Sequence, residues 1–249
     1  MLSETDCLPL PQDKHHLPVL GQGFITLVDS LGSDLTVVNA ARVSFGKRKT
    51  TLEPQDVKLI DYLAKHKHWS PFRHVQLQFH CKVPEFIARQ WYKHVVGIAY
   101  SEGGVRDIDH AWNEISLRYV DAGSFDFYMP EVFRKQSPSN KQASMDETLN
   151  PVLLSGQTGT QALQTHAEGC FKLYQELVAA GVAKEQARMI LPLSIFTEFY
   201  WTASLQAVAN FLQLRLHEGS QYEIRCYAQA LEALARQVAP ESVSALMRY

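Results

Sequence analysis

Two spacings of apolar residues divide the chain. From Val75 to Val83 (VQLQFHCKV) apolar and polar residues alternate one by one, the period of a strand with one wet face. Phe24 to Val28 reads as a second, shorter β-like run, followed by turn residues at Gly32, Ser33 and Asp34. Elsewhere the spacing is three and four. Thr51 with Pro54 opens a helix that Val57, Ile60 and Leu63, with Leu59 and Tyr62, carry to about Lys67. Pro84 introduces another, striped by Phe86, Ile87, Trp91 and Val95. A long helix is expected from about Thr160 to Ala180, ended by Gly181 at the C′ position. Lys184 to Ile190 forms a short helix stopped near Pro192, and Thr202–His217 and Tyr222–Gln237 read as two amphipathic helices.

The remaining segments lack a steady period. Residues 1–20 read as a loose leader, Leu35–Phe45 mixes helix and strand formers, and His68–His74 is a loop by its Ser-Pro. Asp121–Glu131 is loop or edge strand, and Lys135–Gly159, rich in Ser, Asn, Gln and Thr, reads as an exposed connection. The sum is an α/β (α+β) domain over residues 21–249, with a mixed sheet of few strands and a helix-rich second half.

Composition narrows the function. Hydrophobic residues are 46% and charged ones 20%, ordinary for a globular chain of 249 residues. Lys+Arg 24 against Asp+Glu 26 gives a net charge of -2, which speaks against a nucleic-acid partner or a polybasic membrane binder. Cys7, Cys81, Cys170 and Cys226 form no CxxC pair, which speaks against a zinc knuckle or disulfide framework and suits a reducing cytoplasm. No apolar run reaches membrane-span length, and the first twenty residues lack a signal-peptide core. His66, His68, His74 and His80 lack the paired spacing of a metal site, so no metal is expected.

Candidate chemistry concentrates between Arg89 and Tyr119. Arg89 and Lys93 are four apart on one helix, as are Gln90 and His94. The segment breaks at Glu102–Gly104 and resumes as Asn113, Glu114, Ile115, Ser116, Leu117, Arg118 and Tyr119. Closely spaced cations and hydroxyls suit the binding of a phosphorylated small molecule. Other features have plainer readings. Trp91, Tyr92, Phe199, Tyr200 and Trp201 suit a core or a subunit interface, and Arg188 and Arg215 suit pairing with Glu185, Glu218 or Glu223. Cys81 and Cys226 show no activating neighbourhood, and no cysteine sits in a Pro-Cys context.

RQWYKH followed by NEISLRY resembles the signature of the flavin-dependent thymidylate synthases. Gly23–Asp29, Ala41–Phe45, His68–His74, Gln186–Leu193, Thr197–Thr202 and Asn210–Leu216 are similar to further motifs of that family, in order, over roughly residues 21–230. The resemblance implies methylation of dUMP to dTMP, with 5,10-methylenetetrahydrofolate as carbon donor, FAD as flavin and NADPH as reductant. It implies a homotetramer whose sites are shared between subunits. For dUMP it implies Gln90, Trp91, Tyr92, Lys93, Glu114, Ile115, Ser116, Leu117, Arg118, Arg188 and Arg215, with Arg215 as the catalytic cation beside the uracil. For FAD it implies Ser44, His68, Ser70, Lys93, His94, Arg106, Glu114, Ser204 and Asn210.

The chain departs from the family pattern in places. Its Arg-His-Arg triplet reads Lys93, His94, Val95, and an insertion near 96–110 carries Gly103, Gly104 and Arg106, which would fold back to supply the lost cation. Arg73 replaces a Glu, Ser204 and Gln206 replace an Asn and an Arg, and Gly219 replaces a His. Two other readings therefore stay open. One is a nucleotide-binding relative that has lost flavin chemistry; the other is a nucleic-acid binder using Lys47, Arg48 and Lys49.

Overall fold

The computed structural model describes residues 14–92, 94, 111–119 and 126–249; Lys93, Arg106, the insertion near 96–110 and most of the leader lie outside the described residues. Strands β1 (His16–Val19) and β2 (Gly23–Leu31) form a hairpin, followed by helices α1 (Asp34–Arg42) and α2 (Pro54–Lys65). Strand β3 (Gln76–Pro84) runs directly into helix α3 (Glu85–Trp91), and the short strand β4 (Trp112–Glu114) follows. Strands β5 (Phe133–Gln136) and β6 (Ser144–Leu149) precede helices α4 (Gly159–Ala179) and α5 (Lys184–Ala187). Strand β7 (Phe196–Ser204) and helices α6 (Leu205–Arg215), α7 (Tyr222–Val238) and α8 (Pro240–Arg248) complete the chain.

The main sheet has the order β1-β2-β3-β7-β4 and every pairing in it is antiparallel. The alternation from Val75 sets its inner face: Leu77, Phe79, Cys81 and Val83 are fully buried. Opposite them, Phe79 pairs with Trp201 and Cys81 with Phe199, in an unbroken register from Gln76–Ser204 to Pro84–Phe196. Helices α6 and α7 cover this face with Phe211, Tyr227 and Leu231, and α8 packs on those helices with Leu246. Asp34 ties the first helix to the last, accepting from Ser242 N and Oγ and from Glu241 N.

Three segments differ from their sequence reading. The expected leader contains β1, whose Leu17 and Val19 are buried; four residues interrupted by a proline give too short an alternation to stand out. The helix expected from Thr202 begins at Leu205, because the preceding residues are β7. Thr197, Phe199, Trp201 and Ala203 alternate inward there, and Ser204 caps the helix by accepting from Ala207 N at 3.2 Å. The segment from Lys135 is exposed as expected, yet it is an ordered hairpin. Arg134 bonds Ser144 and Asp146, Lys135 bonds Glu147, and Gln136 Nε2 donates to the carbonyl of Ala143 at 3.0 Å. The long helix behaves as read, with Gly181 at a φ of +90° behind it. Among the described residues no helix is long and apolar enough to cross a membrane.

Candidate functional site

Helix α3 leaves β3 without a loop, so its position is set by the sheet. Glu85 N donates to Ile195 O at 2.9 Å and Phe86 N to Leu193 O at 3.1 Å. Ile87, Ala88 and Trp91 face the core, where the Trp91 ring lies 4.5 Å from Phe211. Trp91 therefore acts as packing for the helix, and Tyr92 beside it is half exposed. The other face carries Gln90, whose Nε2 donates to Gln221 Oε1 at 2.8 Å. His94 follows the helix, its backbone N bonded to Trp91 O at 2.9 Å.

Arg215, the last residue of α6, reaches this face. Its Nε donates to His94 Nε2 at 3.2 Å, and an Nη donates to the Gln90 carbonyl at 3.4 Å. Burial first and the guanidinium second push the His94 imidazole down to about 4, so it stays neutral and accepts. Burial alone lowers Arg215 from its usual value, which leaves it a cation at neutral pH. The result is a half-buried positive charge fixed by neutral groups, a cation with no carboxylate bonded to it among the described residues.

A second cluster surrounds Glu114 at the sheet edge. Thr197 Oγ1 donates to its Oε1 at 2.5 Å and Trp112 Nε1 to its Oε2 at 3.1 Å. Trp112 is held by stacking on Phe199, with ring centroids 3.8 Å apart. Glu85 stands beside this carboxylate, and burial followed by the charge of Glu114 pushes it up to about 7. Next to β4 lies a cavity of about 270 Å³ lined by His80, Asn113, Glu114, Ile115, Glu198, Phe199 and Tyr200. A cleft of about 290 Å³ between α2 and α8, lined by Lys58, Asp61 and Arg248, contains none of the candidate residues.

The other candidates fall on separate patches. Ser116 Oγ accepts from Arg118 N at 3.4 Å and Nε at 3.2 Å, shaping a turn that includes Leu117 and presents Tyr119. Arg188 lies on the turn after α5, its Nε bonded to Glu185 O at 3.3 Å, on a segment packed against α4. His68 and Ser70 are exposed next to Arg73, whose Nε donates to the buried Gln206 Oε1 of α6 at 2.7 Å. Ser204 caps that same helix and the half-buried Asn210 lies on it, whereas Ser44 sits exposed beyond α1. One chain thus joins Gln90, His94 and Arg215, but leaves Arg188 and Ser44 on segments of their own.

Sequence reasoning missed Glu85, Trp112, Thr197 and Gln221 as partners of the site. Two signals were present: Trp112 directly precedes the Asn113–Glu114 pair, and Glu85 stands four residues before Arg89, with Oε1 4.0 Å from Arg89 Nε. Thr197 opens one of the family-like motifs, yet neither it nor Gln221 carries a local signal of its partner, because long-range packing alone brings them together.

Comparison with known proteins gives a consistent result. The profile of the family described as "Thymidylate synthase complementing protein" matches residues 26–241. A flavin-dependent thymidylate synthase of Thermus thermophilus is 42% identical over 224 residues, covering 90% of this chain and 75% of that protein. One from Thermosipho africanus is 37% identical over 234 residues, covering 93% of each chain. Among solved structures, the UMP/dUMP methylase PolB from Streptomyces cacaoi bound with 5-Br dUMP is similar at a TM-score of 0.72. It shares 29% identity over 91% of this chain and 95% of its own.

Proposed function

The chain belongs to the thymidylate synthase complementing protein family, the flavin-dependent thymidylate synthases, and from that premise we propose that it methylates dUMP to dTMP. The carbon donor in this reading is 5,10-methylenetetrahydrofolate, and the FAD is reduced by NADPH. The observation that carries it is Arg215: a half-buried cation held by a neutral His94 and the Gln90 carbonyl, free of a bonded carboxylate among the described residues. Such a charge is preorganised for an anion that develops during reaction. Beside the uracil it stabilises negative charge as the pyrimidine C5 becomes nucleophilic, which removes the need for a cysteine nucleophile.

Gln90, Glu114 and the turn at Ser116–Arg118 orient the nucleotide, and Arg118 and Arg188 contribute guanidinium groups suited to its phosphate. The donors around α6 fit a flavin that carries phosphates: His68, Ser70 and Arg73 stand exposed beside the helix that Ser204 caps and Asn210 lies on. When bound there, FAD supplies the hydride chemistry that no side chain performs. In this reading the protein is a homotetramer whose sites draw on more than one subunit, so that Arg188, on a segment of its own in one chain, would join Arg215 across a subunit boundary.

The test combines an absorption spectrum with turnover. Bound flavin bands, dUMP-dependent NADPH oxidation and methylenetetrahydrofolate-dependent dTMP formation support the reading. A protein that binds dUMP yet ignores FAD would remove the flavin chemistry and leave nucleotide binding. Mixing chains carrying Arg188→Ala with chains carrying His94→Ala tests the shared site, since each inactive variant alone would regain activity in a mixed tetramer.

A further inference from the structure

Gln90 is held from three directions. Arg215, at the end of α6, donates to its backbone carbonyl at 3.4 Å. Gln221, the residue immediately before α7, accepts from its Nε2 at 2.8 Å. The Phe86 carbonyl, one turn back in α3, accepts from the same nitrogen at 3.4 Å. A side-chain amide carries two N–H donors on one end and an acceptor oxygen on the other. Both hydrogens of Nε2 therefore have acceptors, and because a backbone carbonyl can only accept, Nε2 is the end turned toward the protein. Oε1 has no hydrogen-bond partner among the described residues. Gln221 is exposed, yet its backbone is fixed on both sides. Ser220 Oγ donates to Leu214 O of α6 at 2.7 Å, and Arg225 N of α7 donates to Gln221 O at 3.1 Å. The Gln221 side chain makes no cap bond to the helix it precedes, so its oxygen serves Gln90.

We propose that Gln221 is a positioning residue for the nucleotide site: it holds the Gln90 amide so that Oε1, the acceptor, is the end that meets dUMP. This inference rests on the dUMP reading above, in which Gln90 touches the nucleotide. The two ends of an amide are nearly equal in shape, so hydrogen-bond partners rather than sterics choose between them. With Nε2 engaged on the protein side, Gln90 favours a donor group of the nucleotide and disfavours an acceptor. Two acceptors facing each other at a half-buried residue cost more than a bond that is simply missing. Without the Gln221 oxygen the amide keeps one long bond, to Phe86, and either end can face the nucleotide.

The experiment is a double-mutant cycle on equilibrium dUMP binding to the full-length protein: wild type, Gln90→Met, Gln221→Met and the two together. Methionine keeps the length of the side chain and removes the amide. Gln221→Met should weaken binding about fivefold, the scale of one net hydrogen bond, with the melting temperature unchanged. On the Gln90→Met background the same change should have no further effect, because a positioning residue acts through the group it positions. Gln221→Glu, whose carboxylate still accepts, should match the wild type when both are compared in about 1 M salt, where screening acts over about 3 Å. A full fivefold loss on the Gln90→Met background would overturn the inference. So would wild-type binding by Gln221→Met, or a Gln221→Glu variant as weak as Gln221→Met. Wild-type binding by Gln90→Met would also overturn it, and the dUMP reading would survive. If the wild type binds no dUMP, the dUMP reading falls and takes the inference with it.

Discussion

The chain contains two antiparallel strand pairs with opposite foundations. β3 and β7 pair along nine positions, and their inner side chains are buried under Trp91, Phe211 and Tyr227. β5 and β6 pair over a shorter span, and charges bridge them: Arg134 to Asp146 and Lys135 to Glu147. The first pair is held by removing apolar area from water, worth about 25 cal/mol per Å². The second relies on exposed ion pairs, each worth about 0–1 kcal/mol and screened by salt. The same ladder geometry can therefore hold a site rigid or leave a surface element responsive to its solvent. The candidate site attaches to the first kind: α3 grows out of β3, α6 out of β7, and Glu114 pairs along β7.

The largest effect should come from the centre of the buried pair. Trp201→Ala should cost about 3–5 kcal/mol in denaturant unfolding, since the ring packs on Phe79, Trp91 and Phe211. A loss below about 1 kcal/mol would show that the core collapses around the gap and that the two strand pairs differ less than described. Thr197→Val should cost less, about 1–3 kcal/mol, by removing the donor to Glu114 while keeping the shape. It should weaken dUMP binding more than it lowers the melting temperature.

Acid sharpens the comparison from the core side. His94 has a lowered folded value near 4, so between about 6.5 and 4 the unfolded chain binds the proton first. Its contribution is present above pH 6.5 and is lost as pH falls toward 4. His94→Phe should flatten that part of the stability–pH curve; an unchanged slope would place the acid sensitivity elsewhere. Salt sharpens it from the hairpin side, with the smallest effect. Lys135→Met should shift global stability by less than about 1 kcal/mol, yet speed amide exchange across β5 and β6 in dilute buffer. In about 1 M salt, where screening acts over about 3 Å, the difference between variant and wild type should vanish.

Legibility in the sequence follows the same division. The alternation of β3 and the period of α4 with Gly181 behind it are local, repeated and readable. β7 was hidden by its aromatic residues, since a run with Phe199, Tyr200 and Trp201 looks the same inside a strand and inside a buried helix. The polar hairpin was hidden because most of its residues are exposed and no apolar period marks it. At the site, Gln90 and His94 stood out as a pair four apart on one helix, whereas Arg215, 121 positions from His94, was identifiable only through the family motifs. Glu85 was visible as an acid near Arg89, but its meeting with Glu114 depends on two elements converging, which no local pattern encodes.

The bond between Asp34 and Ser242 has a consequence for how the chain is made. The two residues are 208 positions apart, so the carboxylate of the first helix leaves the ribosome long before its donors exist. At about 5–20 residues per second, that interval is roughly 10–40 seconds. During it, β3 also waits for β7, with an apolar face and an open edge exposed to other nascent chains. Completion of the fold thus depends on residues 208 positions downstream of Asp34, and a chain cut before α8 would be a target for degradation rather than a weakened enzyme.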